Sequence, residues 1–369
     1  MKQTISLIKA DVGSVGGHTR PSTKMVETAR QTVQGAIEAG TLSDGFVWFT
    51  GDDIELLMIH DRGPGDETVH GLAWQAFQEA TRIAKAENLY GAGQDILKDA
   101  FTGNVHGMGP GVAELQVKLR PGESFLVFTC DKTEPGAFNL PLYLAFVDPM
   151  NSTGLILKKE MKRGFSFRVM DVHPDSGGRT ITLSTPEELY DLAALLRDNH
   201  RFVVEGIYSR YAPDEQVVVA TTTRLHNIAG KYTGKDDPAM ITRVQGYFPA
   251  PEEITQAFTR AHYVGGDARG SHNMPLMPVT MDTPASSNFC IPMVSCLAFS
   301  LNEQGRLSEP LDYFAHPCWD YVRQKAYRKA EEMRLQGFSG PAMLPMSELE
   351  YGGITDTLDA LEERFEAPE

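Results

Sequence analysis

The chain has 369 residues, of which 41% are hydrophobic and 22% charged, the composition of a globular protein that buries its core without disulfide staples. Its 49 Asp and Glu outnumber 34 Lys and Arg, giving a formal charge of −15. That balance argues against a nucleic-acid partner, because phosphate backbones are held by clustered Lys and Arg, and no run approaches the ~18–20 apolar residues of a membrane span.

Residues 2–9 (KQTISLIK) alternate like a strand. A helix is predicted from Ser22, with Met25, Ala29, Val33, Ala36 and Ile37 at helical spacing and Gly40 as its stop. Residues 46–50 and 54–60 read as two strands broken by Gly51-Asp52-Asp53, and 67–88 as a long amphipathic helix. A connection over 91–111 holds six Gly. Strands are then expected at 113–119 and 124–130, and a short helix at 137–147. In the second half, strands are expected at 164–172, 201–210, 217–223, 241–247 and 293–301, and helices at 186–198, 251–260, 319–335 and 355–365. The chain shows no internal repeat, no linker-like segment and no regular βαβ alternation, so the fold class is α+β, one domain over 1–369 with sheets packed under helices.

The four cysteines, Cys130, Cys290, Cys296 and Cys318, form no CxxC pair, and Met1 to Lys9 lacks the apolar centre of a signal peptide. Free thiols and a cytoplasmic location are expected.

The chemistry is read from where Asp falls. Asp11 follows the first strand, Asp52 and Asp53 the second, and Asp131 the segment FLVFTC, while Asp236 and Asp237 sit in the turn AGKYTGKDDP. Adjacent Asp52 and Asp53 would face opposite ways inside a strand; they share a site only if the chain turns there, which Gly51 permits. Carboxylates gathered in one place repel each other unless neutralised, and hard divalent cations, Mg²⁺ above all, are the natural remedy. The alternative is that Asp is simply common in turns and caps.

Other segments are open to two readings. GNVHGMGPG (103–111) could turn backbone N–H groups toward a phosphate or be a plain loop. Lys235 stands three residues after Tyr232, so amine and phenol can share a side as nucleophile and proton shuttle, or be an exposed Lys beside a half-buried Tyr. His18, in a Gly-Gly-His-Thr turn, could be a ligand or structural, and Arg243, Arg269 and His272 could hold phosphate or be surface cations. No HExxH, GxSxG or zinc-type spacing occurs. Spacing therefore reaches a metal-dependent enzyme acting on a phosphorylated small molecule.

The segments IKADVGSVGGH, GDDIELLMIH, LYGAGQDILKDAFTGNVHGMGPGVAE, DKTEPGAFNLPLY, AGKYTGKDDP, RGSHNMPLMPV and a late EY run in order from residue 8 to 351. Together they resemble the fructose-1,6-bisphosphate aldolase/phosphatase family of archaea and deep-branching bacteria. The resemblance implies a four-layer α-β-β-α sandwich, assembled as a homo-octamer, with three or four Mg²⁺ per site. It implies a gluconeogenic enzyme that condenses dihydroxyacetone phosphate with glyceraldehyde 3-phosphate and hydrolyses the 1-phosphate of fructose 1,6-bisphosphate to leave fructose 6-phosphate. Lys235 then matches the Schiff-base lysine and Tyr232 the aldolase acid/base. Asp11, His18, Asp52, Asp53, Gln94, Asp131, Asp236 and Asp237 match metal-binding positions. His18, Tyr90, Gly103, Asn104, Lys132, Gln245, Arg269 and Tyr351 match substrate contacts. One departure is visible: Cys290 stands where similar proteins carry Asp in an FDGP-like stretch. A Mg²⁺-dependent sugar-bisphosphate phosphatase without aldolase activity is therefore the second expectation, and a metal- or sugar-phosphate-binding regulator without turnover the third.

Charge arithmetic bears on the metal count. Six ionised Asp with two phosphates reach about −9 to −10, and Lys132, Lys235 and Arg269 return at most three charges, leaving room for about three Mg²⁺.

Overall fold

A computed structural model describes residues 2–96, 109–173, 176–213, 215–221, 223–224, 236–266, 273–286, 291–335 and 353–367. In chain order the strands and helices are β1 (Lys2–Asp11), α1 (Thr23–Glu38), β2 (Asp44–Thr50), β3 (Asp53–His60), α2 (Glu67–Ala86), β4 (Gly111–Lys118), β5 (Glu123–Asp131), α3 (Asn139–Phe146), α4 (Gly154–Leu157), β6 (Phe165–Asp171), β7 (Thr180–Ser184), α5 (Leu189–Leu196), β8 (Phe202–Ser209), β9 (Gln216–Ala220), β10 (Thr223–Arg224), β11 (Ala239–Val244), α6 (Pro251–Thr255), β12 (Tyr263–Gly265), β13 (Asn273–Pro275), β14 (Met277–Pro278), β15 (Met293–Leu301), β16 (Leu311–Asp312), α7 (Asp320–Leu335) and α8 (Gly353–Glu362).

The long elements form where their periodicity demands. α1 starts at Ser22, whose side chain accepts from the Met25 N–H, and buries Met25, Val26, Ala29, Val33 and Ala36. α2 starts at Asp66, whose carboxylate accepts from the Thr68 and Val69 N–H groups. Among the described residues, one sheet runs β10-β4-β1-β3-β2, and a larger one runs β14-β15-β5-β11-β9-β8-β6-β7, with β16 against β15. β12 and β13 make a separate ribbon. The strand pairs are antiparallel except for β14 with β15. The fold is mixed α+β, as expected.

Alternation along each strand divides the core into three main clusters. Ile8, Ala10, Ile54 and Leu56 meet Met25, Ala29, Val69 and Phe77 of α1 and α2. On the opposite face, Ile5, Leu7, Leu57 and Ile59 meet Phe125, Val127, Ile241 and Leu297 of the larger sheet. The far side of that sheet, with Leu126, Phe128 and Val204, is covered by Leu142, Leu192, Ile254, Val322 and Leu361 of α3, α5, α6, α7 and α8.

The space between the sheets changes character along the strands, and this places the site. On β1 the inward residues run Ile5, Leu7, Lys9, Asp11; on antiparallel β3 they run Asp53, Glu55, Leu57, Ile59. Register sets Lys9 opposite Glu55 and Asp11 opposite Asp53. The facing strand β5 runs Phe125, Val127, Thr129, Asp131, with Ser295 of β15 opposite Thr129. One end is thus apolar and the other polar. Thr50, Thr129 and Ser295 close the boundary with a triangle of buried hydroxyls, each side 2.8 Å.

The short elements α4, β7, β10, β12, β13, β14 and β16 have no counterpart in the sequence reading, because two to five residues carry too little periodicity. The helix expected over 251–260 is α6 continued by a 3-10 segment, Gln256–Arg260.

Candidate active site

Gly51 makes the turn that lets two consecutive Asp share one site. It has φ +62° between the end of β2 and the start of β3. A Cβ there would lie 1.5 Å from Asp131 Oδ2, so only glycine lets this turn approach the end of β5. Asp131 is supplied by the last residue of β5 and Asp237 by the turn entering β11. Asp237 is tied down by two bonds: its Oδ1 accepts from the Thr133 N–H at 2.7 Å and its N–H donates to Thr133 O at 2.8 Å.

Two trios result. Asp11, His18 and Asp52 offer ligand atoms all within 4.8 Å of one another, and so do Asp53, Asp131 and Asp237. Lys132 joins them: its ammonium donates to Asp131 Oδ1 at 2.8 Å and to Asp52 Oδ1. Asp52 Oδ2 accepts from Ser14 Oγ at 2.8 Å and lies 3.2 Å from His18 Nδ1. The His18 ring meets the Tyr90 ring edge-on, centroids 4.7 Å apart. Asp11 is held through its backbone, its N–H donating to Asp95 Oδ2 at 2.9 Å while the Asp95 N–H donates to Asp11 O at 2.9 Å.

Crowded buried carboxylates resist ionisation. Burial, then the neighbouring Asp52 and Asp53, pushes the Asp11 carboxyl well above the usual range. Asp131 is raised by burial and by Asp52, Asp237 and Asp53 against the opposing pull of Lys132. Burial, with Asp236 and Asp53, pushes Asp237 up to about 7. Asp52 goes the other way: burial opposes its charge, but Lys132 and His18 hold it well below the usual carboxylate range.

The donor set fits hard divalent cations. It consists of carboxylate oxygens, an amide and one imidazole, and Asp131 Oδ2 and Gln94 Oε1 are buried without a hydrogen-bond partner. Asp236 adds a further buried carboxylate beside Asp237.

Of the residues singled out from sequence, Asp11, His18, Asp52, Asp53, Tyr90, Asp131, Lys132 and Asp237 come together; Asp236 is next to Asp237 in the chain, and Gln94 next to Asp95, which holds the Asp11 backbone. Lys235, Tyr232, Gly103, Asn104, Arg269, Tyr351, Cys290 and His272 lie outside the described residues. Within this chain Gln245 stands apart from the group: it is exposed beyond the far end of β11 from Asp237, about 20 Å of strand away, with its N–H on Pro249 O. One reading is corrected. Arg243 is no phosphate ligand, because its guanidinium is committed to Glu123 at 2.7 and 2.9 Å and to Glu215.

Sequence reasoning also missed residues. Lys9 is wholly buried and paired to Asp53 Oδ2 at 2.5 Å, and it donates to Cys130 O at 2.6 Å. Burial disfavours its charge, yet Asp53, Asp237 and Glu55 raise its pKa. Glu55, equally buried, is pushed well above its usual range by burial against the pull of Lys9. Their signal was available: Lys9 and Asp11 share one strand face, as do Asp53 and Glu55, in strands whose remaining positions on that face are apolar.

A buried centre of hard oxygen donors, with a lysine bridging two carboxylate groups, defines a class of site suited to divalent cations and anionic substrates. A family model described as Fructose-1,6-bisphosphatase matches residues 2–366. The chain is 59% identical over 365 residues to the fructose-1,6-bisphosphate aldolase/phosphatase of Thermus thermophilus, covering 99% of this chain and 100% of that protein. It is 49% identical over 366 residues to the protein of that name from Cenarchaeum symbiosum, covering 99% and 95%, and 46% identical over 370 residues to that from Thermococcus kodakarensis, covering 99% and 98%. The chain belongs to the fructose-1,6-bisphosphate aldolase/phosphatase family. No helix among the described residues is long and apolar enough to cross a membrane.

Proposed function

We propose that this chain is a bifunctional enzyme that joins dihydroxyacetone phosphate to glyceraldehyde 3-phosphate and then hydrolyses the 1-phosphate of the resulting fructose 1,6-bisphosphate. The observation that carries the reading is the convergence of Asp11, His18 and Asp52 with Asp53, Asp131 and Asp237 around Lys132, in a chain with relatives of that name. The cation is Mg²⁺, three or four per site, held by Asp11, His18, Asp52, Asp53, Gln94, Asp131, Asp236 and Asp237. When bound, it supplies charge neutralisation, polarisation of phosphoryl oxygens and a water made acidic enough to attack.

The chain's own groups do the rest. Lys132, already set between two carboxylates, offers its ammonium to a phosphate that displaces one of them. His18 and Tyr90, packed edge-on, form a wall against the sugar. Gly103, Asn104, Arg269 and Tyr351 complete the substrate contacts, and family resemblance adds Gln245, which stands apart from the trios within one chain. Lys235 adds its neutral amine to the ketone of dihydroxyacetone phosphate and water leaves. Tyr232 moves the protons as the enamine attacks the aldehyde, and water then adds back across the C=N bond to free the lysine amine and release fructose 1,6-bisphosphate. Three further parts complete the proposal: a four-layer α-β-β-α stacking of helices and sheets, a homo-octamer and a cytoplasmic role in gluconeogenesis.

A coupled assay from triose phosphates to fructose 6-phosphate, with Mg²⁺ titrated, tests the reading. Lys235→Ala is expected to abolish condensation and the borohydride-trapped adduct while sparing most of the phosphatase. Loss of both activities to the same degree would refute separate roles. Cys290 gives the second reading its footing: phosphate release from fructose 1,6-bisphosphate with no condensation by the unmodified chain would leave a phosphatase alone.

A further inference from the structure

The polar end of the space between the sheets contains a cation that the proposed chemistry does not use. Lys9 is 0% exposed, three residues' length inside the sheet from the nearest loop, and its ammonium meets Asp53 Oδ2 at 2.5 Å and Cys130 O at 2.6 Å. Glu55 lies directly across the strand pair, also 0% exposed. Lys132 differs in kind. It stands between the two trios and bonds one carboxylate from each, where an incoming phosphate can take it over. Lys9 stands behind Asp53, sealed by both sheets, where no substrate reaches it.

We infer that Lys9 is a positioning residue that limits cation binding: it occupies one oxygen of Asp53 and places a fixed positive charge behind the Asp53–Asp131–Asp237 trio, so that this trio holds its divalent cation loosely enough to exchange. The inference rests on the proposed function, since it presumes that the trio takes a cation. Two physical consequences carry it. Lys9 pairs with Asp53 Oδ2 at 2.5 Å, an oxygen that no hydrogen bond engages, so ammonium and cation compete for one carboxylate. And a unit charge one carboxylate away from a divalent ion repels it strongly in a site screened from solvent. A merely structural lysine would act in the opposite direction: its loss would loosen the carboxylates and weaken binding.

The test is a Mn²⁺ titration of the full chain, following the thermal midpoint of unfolding and, in parallel, the free-Mn²⁺ signal by electron paramagnetic resonance. Lys9→Gln removes the charge and keeps a donor for Cys130 O; Lys9→Arg keeps the charge; Lys9→Met removes both. Following the midpoint means that a variant destabilised without cation still reports its affinity. Lys9→Gln is expected to bind Mn²⁺ at least tenfold more tightly than the unmodified chain, with Lys9→Arg within about threefold of it; tenfold corresponds to about 1.4 kcal/mol. Binding by Lys9→Gln that is equal to or weaker than that of the unmodified chain overturns the inference while leaving the cation site standing. An unmodified chain that binds no Mn²⁺ overturns both.

Discussion

At Gly51 a single hydrogen atom decides whether the site can exist. The turn there needs φ +62°, and a methyl group would occupy the same space as the Asp131 carboxylate. Gly51→Ala therefore combines backbone strain of about 1 kcal/mol with expulsion of one carboxylate from its trio. Its expected outcome is a loss of cation affinity of at least tenfold, read by calorimetric titration, together with loss of phosphatase activity. A variant that binds Mg²⁺ as the unmodified chain does would show that Asp131 is not needed in place. The need for a turn at Gly51 was legible in sequence, because two adjacent Asp demand one. Lys9 and Glu55 are equally legible in principle, but a charge inside an alternating strand reads as the solvent-facing position. Only the second sheet, packed over that face, buries it. Gln245 shows the converse. Similarity of motif assigns it to the substrate, while within one chain strand direction carries it away from Asp237.

Elements with a long period announced themselves. β15, α1, α2 and α7 stand within a few residues of their expected limits, because nine to twenty residues of pattern outweigh local noise. The edge pieces β10, β14 and β16, two residues each, exist through tertiary pairing alone, and no local signal marks them. The sheets' order was likewise illegible, since β5 pairs with β11 and β15, more than a hundred residues away. α2 offers a clean control on how much the elements matter to the site. Its Asp66 cap satisfies two N–H groups at 3.0 and 3.1 Å, beyond the end of β3 opposite Asp53. Asp66→Ala should lower unfolding stability by about 1 kcal/mol in denaturant titration and leave cation affinity unchanged. A change in affinity with it would mean that the helix layer sets the geometry of the trios.

The whole molecule is organised around a charge problem. Six Asp gather at one end of the space between two sheets, and Lys9 adds one positive charge that the sequence arithmetic omitted, beside that of Lys132. The remaining excess is met by protons or by metal. Without metal, Asp11, Asp131 and Asp237 are raised, Asp237 from 3.8 to about 7. The folded chain then binds more protons than the unfolded one over that interval. Stability of the chelated protein must therefore fall as pH rises from about 4 through 7. Asp52 acts in the opposite sense, but its contribution is present above the usual carboxylate range and is lost only in stronger acid, so it does not cancel this slope. Mg²⁺ competes with those protons for the same oxygens, and gains as they leave. Thermal midpoints measured in chelator should thus decline between pH 5.5 and 8, and the rise produced by saturating Mg²⁺ should grow over the same interval. That rise would reach about 2.7 kcal/mol at a hundredfold excess over the dissociation constant of a single site. A Mg²⁺-induced rise that is constant or shrinks with pH would mean that protons and cation do not share these carboxylates, and the site would then lose its electrostatic rationale.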